Sequence, residues 1–80
     1  MSVPITVPDL GTDRGTVSLW FVKPGERVHE GDRIVELQIP GATIDLIAPV
    51  TGTMGERFVL QSDRVTAGQK LGVIHADLDQ

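Results

Sequence analysis

Apolar and polar residues alternate with a period of two in three stretches of the chain. Val17, Leu19 and Phe21 alternate with Thr16, Ser18 and Trp20, and similar alternation recurs in residues 33–39 and 42–48. Because successive side chains of a strand point to opposite faces, this period indicates half-buried strands. The pattern predicts strands near residues 3–7, 16–22, 33–39, 42–48, 53–59 and 71–76. No stretch of about ten residues shows a helical stripe, so the predicted class is all-β.

Turn-forming residues separate these predicted strands at nearly regular intervals. They are Gly11, Pro24-Gly25, Gly31-Asp32, Pro40-Gly41, Pro49, Gly52, Ser62-Asp63 and Gly68. Short strands with frequent turns favour antiparallel pairing. We therefore expect two packed antiparallel sheets or a flattened barrel.

The chain also repeats itself with an offset of 37 residues. The matches are Gly15-Thr16 with Gly52-Thr53, Phe21-Val22 with Phe58-Val59, Arg27-Val28 with Arg64-Val65, and Gly31 with Gly68. Glu26 and Asp63 also correspond, which places a carboxylate before the arginine in both halves and indicates equivalent turns. Each half is too short to bury its own apolar face, so we expect the halves to pack on each other.

Length and charge narrow the possible function classes. The 80 residues, 40% of them hydrophobic, predict one domain over residues 1–80. A net charge of −4 and a content of two Phe and one Trp argue against a nucleic-acid binder, which needs a basic face or a stacking platform. No apolar run approaches the roughly 18 residues of a membrane span. The start of the chain lacks a basic, apolar signal segment, so the expected location is the cytoplasm.

Polar residues that often carry chemistry are scattered along the chain. His29 and His75 have no histidine or cysteine at metal-ligand spacing, so no metal site is predicted. Asp9, Asp13, Glu26, Glu30 and Asp32 cluster in predicted turns, where carboxylates are commonly solvated. No nucleophile or phosphate-loop motif is present, and we expect no catalysis by this chain alone. Trp20 lies out of register with its apolar neighbours, and we expect partial burial of its large indole.

Five segments follow one another in an order that is typical of a known family. They are Val7-Pro8-Asp9-Leu10-Gly11, residues 15–25, Val28-His29-Glu30-Gly31-Asp32, Ala48-Pro49-Val50-Thr51-Gly52, and Gly68 with Leu71. In this order and spacing they resemble the lipoyl and biotinyl attachment domains of the 2-oxo acid dehydrogenase type, over about residues 3–76. The resemblance implies two four-stranded antiparallel sheets related by a pseudo-two-fold, the single hybrid motif.

The resemblance also implies a function that depends on one lysine. In the family, a lysine at the tip of a hairpin bears lipoate or biotin, and the domain carries acyl or carboxyl groups within multienzyme complexes. The family's Asp-Lys-Ala falls on Pro40-Gly41-Ala42. Attachment is an amide bond to a primary amine, which glycine does not have. We therefore predict no cofactor and no cofactor-binding residue, the attachment position being Gly41.

Pro40-Gly41 itself is typical of a stiff turn. Proline presets φ for the second position of a type I or type II turn, and glycine supplies the positive φ that type II needs at the third. The hairpin would then be purely structural. An engineered replacement of an Asp-Lys pair would leave the same sequence.

Three functions remain open at this point. The first is a lipoyl-like domain that is never modified and that serves as a structural or protein-docking module. The second is a working carrier that is modified at Lys23 or Lys70, the chain's two lysines. The third is a spacer domain of a larger carrier or membrane-fusion protein. All three predict protein partners, namely other subunits or domains of a carrier-type complex, and a chain that is at most a non-catalytic part of an enzyme complex.

Overall fold

Eight β-strands form two four-stranded sheets in the computed structural model, which describes residues 1–77. The strands are β1 (Ser2–Thr6), β2 (Gly15–Trp20), β3 (Arg27–Val28), β4 (Arg33–Ile39), β5 (Ala42–Ile47), β6 (Gly52–Arg57), β7 (Arg64–Val65) and β8 (Lys70–Ala76). One sheet has the order β1-β8-β6-β3 and the other β5-β4-β2-β7, and every pairing is antiparallel. The predicted all-β class and the two four-stranded antiparallel sheets are confirmed. Nothing in residues 1–77 is a helix with the length and apolar character that a membrane crossing requires.

The alternation pattern located six of these strands and missed the two shortest. β3 and β7 each consist of one arginine and one valine, Arg27–Val28 and Arg64–Val65. Two residues are too few to show a period of two, so no sequence pattern could mark them. They form because each pairs with the first residues of a longer strand, β3 with β6 and β7 with β2.

The 37-residue offset of the sequence also relates the strands in space. β2 begins at Gly15 and β6 at Gly52, while β4 spans Arg33–Ile39 and β8 Lys70–Ala76, and both pairs are 37 residues apart. The two sheets interlock, because β3 of the first half joins the sheet of β6 and β8, and β7 of the second half joins the sheet of β2 and β4. Neither half can therefore complete its sheet alone.

The core lies between the two sheets and is entirely apolar. Its buried residues are Ile5, Val7, Leu10, Val17, Val28, Ile34, Val35, Leu37, Ala48, Met54, Val59, Val65, Leu71 and Ile74, and no polar side chain of residues 1–77 is buried with them. Ile34 and Leu71 are equivalent under the offset, and both are fully buried. Burial of such side chains supplies most of the stabilisation, at roughly 25 cal/mol per Å² of apolar surface.

Two expectations for β2 have different outcomes. The alternation places Leu19 on the same face as buried Val17, and this is wrong, since Leu19 is 44% exposed. A register shift between Val17 and Leu19 in the pairing with β4 turns the later side chain outward. The expected partial burial of Trp20 is confirmed, since it packs against the edge of the core.

Candidate functional site

The β4–β5 hairpin ends in a loop of two residues. Ile39 of β4 pairs with Ala42 of β5, so only Pro40 and Gly41 form the tip. Pro40, Gly41 and Ala42 are all exposed. The structure thus places the position that the resemblance assigns to a lysine at the outermost point of the hairpin.

The conformation of the tip follows from its two residues. Gly41 has a φ of +78°, as expected of the third position of a type II turn. Two-residue hairpin loops usually adopt type I′ or II′ turns, which require a positive φ at the first loop residue. Proline is fixed near −65° and cannot adopt it, so the sequence Pro-Gly selects type II. The positive φ that the sequence predicts for Gly41 is therefore observed.

Gln38 braces this turn from the preceding strand. Its Nε2 donates hydrogen bonds to the backbone carbonyls of Ile39, at 2.7 Å, and of Ala42, at 2.9 Å. The side chain thereby ties the two strand ends together directly below the loop. The sequence analysis missed this role, and the only available signal was a long amide side chain two residues before the proline.

The tip offers space for a side chain but no reactive group. A Cβ built on Gly41 meets no atom within 4 Å, so a longer side chain would project freely into solvent. Amide attachment of a cofactor needs an amine at this point. β4, β5 and the tip contain no lysine.

Both lysines of the chain lie elsewhere. Lys23 follows β2 and Lys70 begins β8, opposite Thr6 of β1, and both are exposed. Thr16 pairs with Gln38 next to the tip, whereas Trp20 pairs with Val35 further along β4. The chain therefore runs away from the tip as it approaches Lys23.

Three of the five carboxylates singled out in the sequence, together with Asp63, accept hydrogen bonds within turns. Glu26 Oε1 accepts a hydrogen bond from the backbone N–H of Lys23, at 2.6 Å, and Asp63 Oδ2 accepts one from Leu60, at 2.8 Å. These two bonds are equivalent under the 37-residue offset, which agrees with the structural role expected of this pair. Asp32 and Asp9 accept N–H groups of His29 and Gly11 in the same way, while Asp13 and Glu30 are exposed.

The histidines do not come together with other ligand side chains. His29 is exposed, with its Nδ1 3.7 Å from Asp32 Oδ2, and exposed His75 shares a hydrogen bond of 2.9 Å with Ser2. Within residues 1–77, no group of three or more histidine, cysteine or acidic side chains could hold a metal ion.

Comparison with known proteins identifies the family of this chain. The family model described as "Biotin-requiring enzyme", which covers biotin and lipoyl domains, matches residues 3–77. The chain is 31% identical over 99% of its length to the dihydrolipoyllysine-residue succinyltransferase component of the 2-oxoglutarate dehydrogenase complex of Rickettsia typhi. It is 33% identical over 89% of its length to the dihydrolipoyllysine-residue acetyltransferase component of the pyruvate dehydrogenase complex of Bacillus subtilis.

A solved structure shows the same fold. The lipoyl domain of the 2-oxoglutarate dehydrogenase complex from Azotobacter vinelandii superposes with a TM-score of 0.72 at 24% identity, covering 96% of this chain and 99% of that domain. By contrast, the chain spans only 21% of the Rickettsia protein and 16% of the Bacillus protein. The likeness is thus to one domain of those larger proteins. From the family match over residues 3–77, the chain belongs to the biotin/lipoyl domain family.

Proposed function

We propose that this chain is a lipoyl-type domain of a 2-oxo acid dehydrogenase acyltransferase that carries no cofactor and serves as a structural or protein-docking module. The acyltransferase relatives support the lipoyl type, since their names describe components of 2-oxoglutarate and pyruvate dehydrogenase complexes. Partners of this domain would accordingly be other subunits or domains of such a complex.

The absence of an amine at the hairpin tip is the observation that supports an unmodified domain. The position that the resemblance assigns to the acceptor lysine lies at an open hairpin tip, yet the tip residues are Pro40 and Gly41. Without an amine, the tip has no nucleophile for a ligase to acylate. In the proposed role, the domain contributes binding surface and spacing and takes no part in group transfer.

Intact-mass measurement tests this proposal. The full chain is coexpressed with a lipoate ligase and a biotin ligase, and its mass is compared with that of the unmodified sequence. We expect no increment for the natural chain. A matched control carries Pro40→Asp and Gly41→Lys, and its modification shows that the ligases are active. An increment of one cofactor on the natural chain refutes the proposal.

A second candidate is a carrier that uses one of the two other lysines. The exposure of Lys23 and Lys70 favours it, because a ligase could reach either amine. Peptide mapping of any adduct shows whether Lys23 or Lys70 carries it. An adduct on one of these residues establishes this alternative, and loss of the adduct in the corresponding Lys→Arg variant identifies the site.

A further inference from the structure

β2 and the segment that follows β6 expose large apolar side chains whose equivalents in the other half are charged or better covered. Leu19 is 44%, Phe58 49% and Leu60 70% exposed. Under the 37-residue offset, Leu19 corresponds to Glu56 and Leu60 to Lys23. The fold therefore accepts a charged residue at both equivalent positions, and nothing in its architecture requires leucine at either one.

The phenylalanines differ in the same way. Phe21, the equivalent of Phe58, is partly buried, and the guanidinium of Arg33 lies 4.6 Å from its ring centroid. Among residues 1–77, no cation lies over the ring of Phe58 in this manner. The first half thus covers its aromatic side chain, and the second half leaves it half exposed.

An open groove lies between Leu19 and Leu60. It has a volume of about 250 Å³ and is lined by Leu19, Trp20, Arg57, Leu60 and Gln61. We call it the Trp20–Arg57 groove. The indole Nε1 donates to the carbonyl of Val59 at 3.2 Å, and Arg57 Nη1 donates to that of Val22 at 3.3 Å. These two bonds fix an aromatic ring and an arginine in place, and both residue types are enriched at the energetic centres of protein interfaces.

The charge of the groove points to the chemistry of its occupant. Arg27 pairs with Asp77 and Arg33 with Asp45, but no carboxylate of residues 1–77 lies within ion-pair distance of Arg57. The bond to Val22 is the only hydrogen bond that its guanidinium makes within that part of the chain. Most of its five N–H donors are therefore free to bind a carboxylate, whose geometry a guanidinium matches bidentately.

The size of the groove favours a side chain of a protein over a small ligand. Sites for small molecules are enclosed and measure roughly 300 to 1,000 Å³, whereas this groove is smaller and open to solvent.

We propose that the Trp20–Arg57 groove docks a protein segment that presents a glutamate or aspartate next to a leucine- or phenylalanine-sized side chain. The carboxylate binds Arg57, and the apolar side chain packs on Trp20 between Leu19 and Leu60. This inference rests on the docking role proposed above and assigns it a surface.

Trp20 is the chain's only tryptophan, so its fluorescence reports on this groove alone. The probe is a short synthetic peptide in which glutamate alternates with leucine and phenylalanine, titrated into the full chain. A control peptide has lysine in place of each glutamate. We expect a saturable change of Trp20 emission with the acidic peptide, at micromolar to high-micromolar concentration, and none with the lysine peptide. Equal responses to both peptides, or no response up to about 1 mM, overturn the proposal.

Variants locate the binding. Arg57→Gln should weaken binding of the acidic peptide about tenfold or more, because the neutral amide replaces the charge-assisted hydrogen bonds of the guanidinium. Leu60→Gln removes an apolar side chain of the groove at a highly exposed site without adding a charge that would attract the acidic peptide, so it should fold normally and still weaken binding. Arg64→Gln, a change at an exposed arginine of β7, is the matched control and should bind like the natural chain.

Two further results would contradict the proposal. If Arg57→Gln and Arg64→Gln bind equally, the groove is not the site. If octanoate, a small apolar carboxylate, causes the same emission change as the peptide and competes with it, the occupant is a small molecule. These readouts use unmodified protein, so they are independent of the mass measurement that tests the absence of a cofactor.

Discussion

Trp20 and Arg57 are equivalent residues of the two half-domains, and they bond to equivalent carbonyls across the molecule. Trp20 donates to Val59 and Arg57 donates to Val22, and Val22 and Val59 are themselves 37 residues apart. The guanidinium lies 5.4 Å from the indole centroid. The 37-residue offset therefore matches an aromatic donor of one half with a cationic donor of the other half, and the two side chains contact each other.

This contact should appear as an energetic coupling between the two halves. We expect Trp20→Leu and Arg57→Gln each to lower the free energy of unfolding by about 1 kcal/mol or more, since each removes one hydrogen bond and the contact between the ring and the guanidinium. The double variant should lose less than the sum, by about 0.5–1 kcal/mol, because the cation–π contact can be lost only once. Urea unfolding followed by far-UV circular dichroism measures the free energy of unfolding of the natural chain, both single variants and the double variant. Strict additivity would show that the two side chains are independent.

The hairpin tip should accept a lysine only at some cost. Gly41→Lys puts a side chain at a φ of +78°, which costs roughly 1 kcal/mol for a residue with a Cβ. No steric clash adds to this cost, because the space around Gly41 is open. We expect poor modification of Gly41→Lys by a lipoate ligase and better modification when Pro40→Asp is added, since aspartate releases the φ restriction of the turn. Intact mass gives the modified fraction, and equal, efficient modification of both variants would show that Pro40 has no influence.

Two equivalent glycines should differ in their tolerance of alanine. A Cβ on Gly52 would press directly against the backbone carbonyl of His75 and lie 2.9 Å from the Cα of Ala76, both on the paired strand β8. At Gly15 the nearest atom is the flexible Leu10 Cδ1, at 2.6 Å. We expect Gly52→Ala to lower the free energy of unfolding by at least about 3 kcal/mol and Gly15→Ala by about 1–2 kcal/mol. Denaturant midpoints of the two variants, measured side by side, compare the two losses of stability. A larger loss for Gly15→Ala than for Gly52→Ala would refute the assigned contacts.

The ion pair near the end of the described chain should give a small pH dependence. Arg27 donates to both oxygens of Asp77, at 2.6 Å each, and this hydrogen bonding lowers the pKa of Asp77 below its usual value. A depressed folded-state pKa stabilises the fold above the unfolded pKa, and that contribution is lost as the pH falls through the folded value. Both side chains are exposed, so the effect should be small and weaker at high salt.

The measurement compares the melting temperatures of the natural chain and Asp77→Asn. We expect the variant to melt slightly lower at pH 7, and we expect this difference to shrink as the pH falls through the lowered folded-state pKa of Asp77. Asp13→Asn changes an exposed carboxylate in the loop between β1 and β2 and serves as the control. A difference that does not shrink as the pH is lowered would assign the effect to packing and not to the charge of Asp77.

The sequence by itself determined the class of the fold and the missing chemistry of the tip. Alternation with a period of two marks the long strands. The 37-residue repeat predicts which turns of the two halves correspond, such as those closed by Glu26 and Asp63. The positive φ of Gly41 also follows locally, because Pro-Gly admits few turn conformations. The alternation and each turn depend on residues close together in the chain, and the repeat is visible because both halves carry the same local pattern.

Only the tertiary structure decided the features that depend on strand pairing. β3 and β7 exist because each pairs with a strand of the other half, and Leu19 is exposed because the β2–β4 register shifts beside it. The contact between Trp20 and Arg57 likewise joins residues 37 positions apart, which no local pattern brings together. Packing of two sheets selects one register among several that the alternation permits, and that selection sets which apolar side chains remain at the surface.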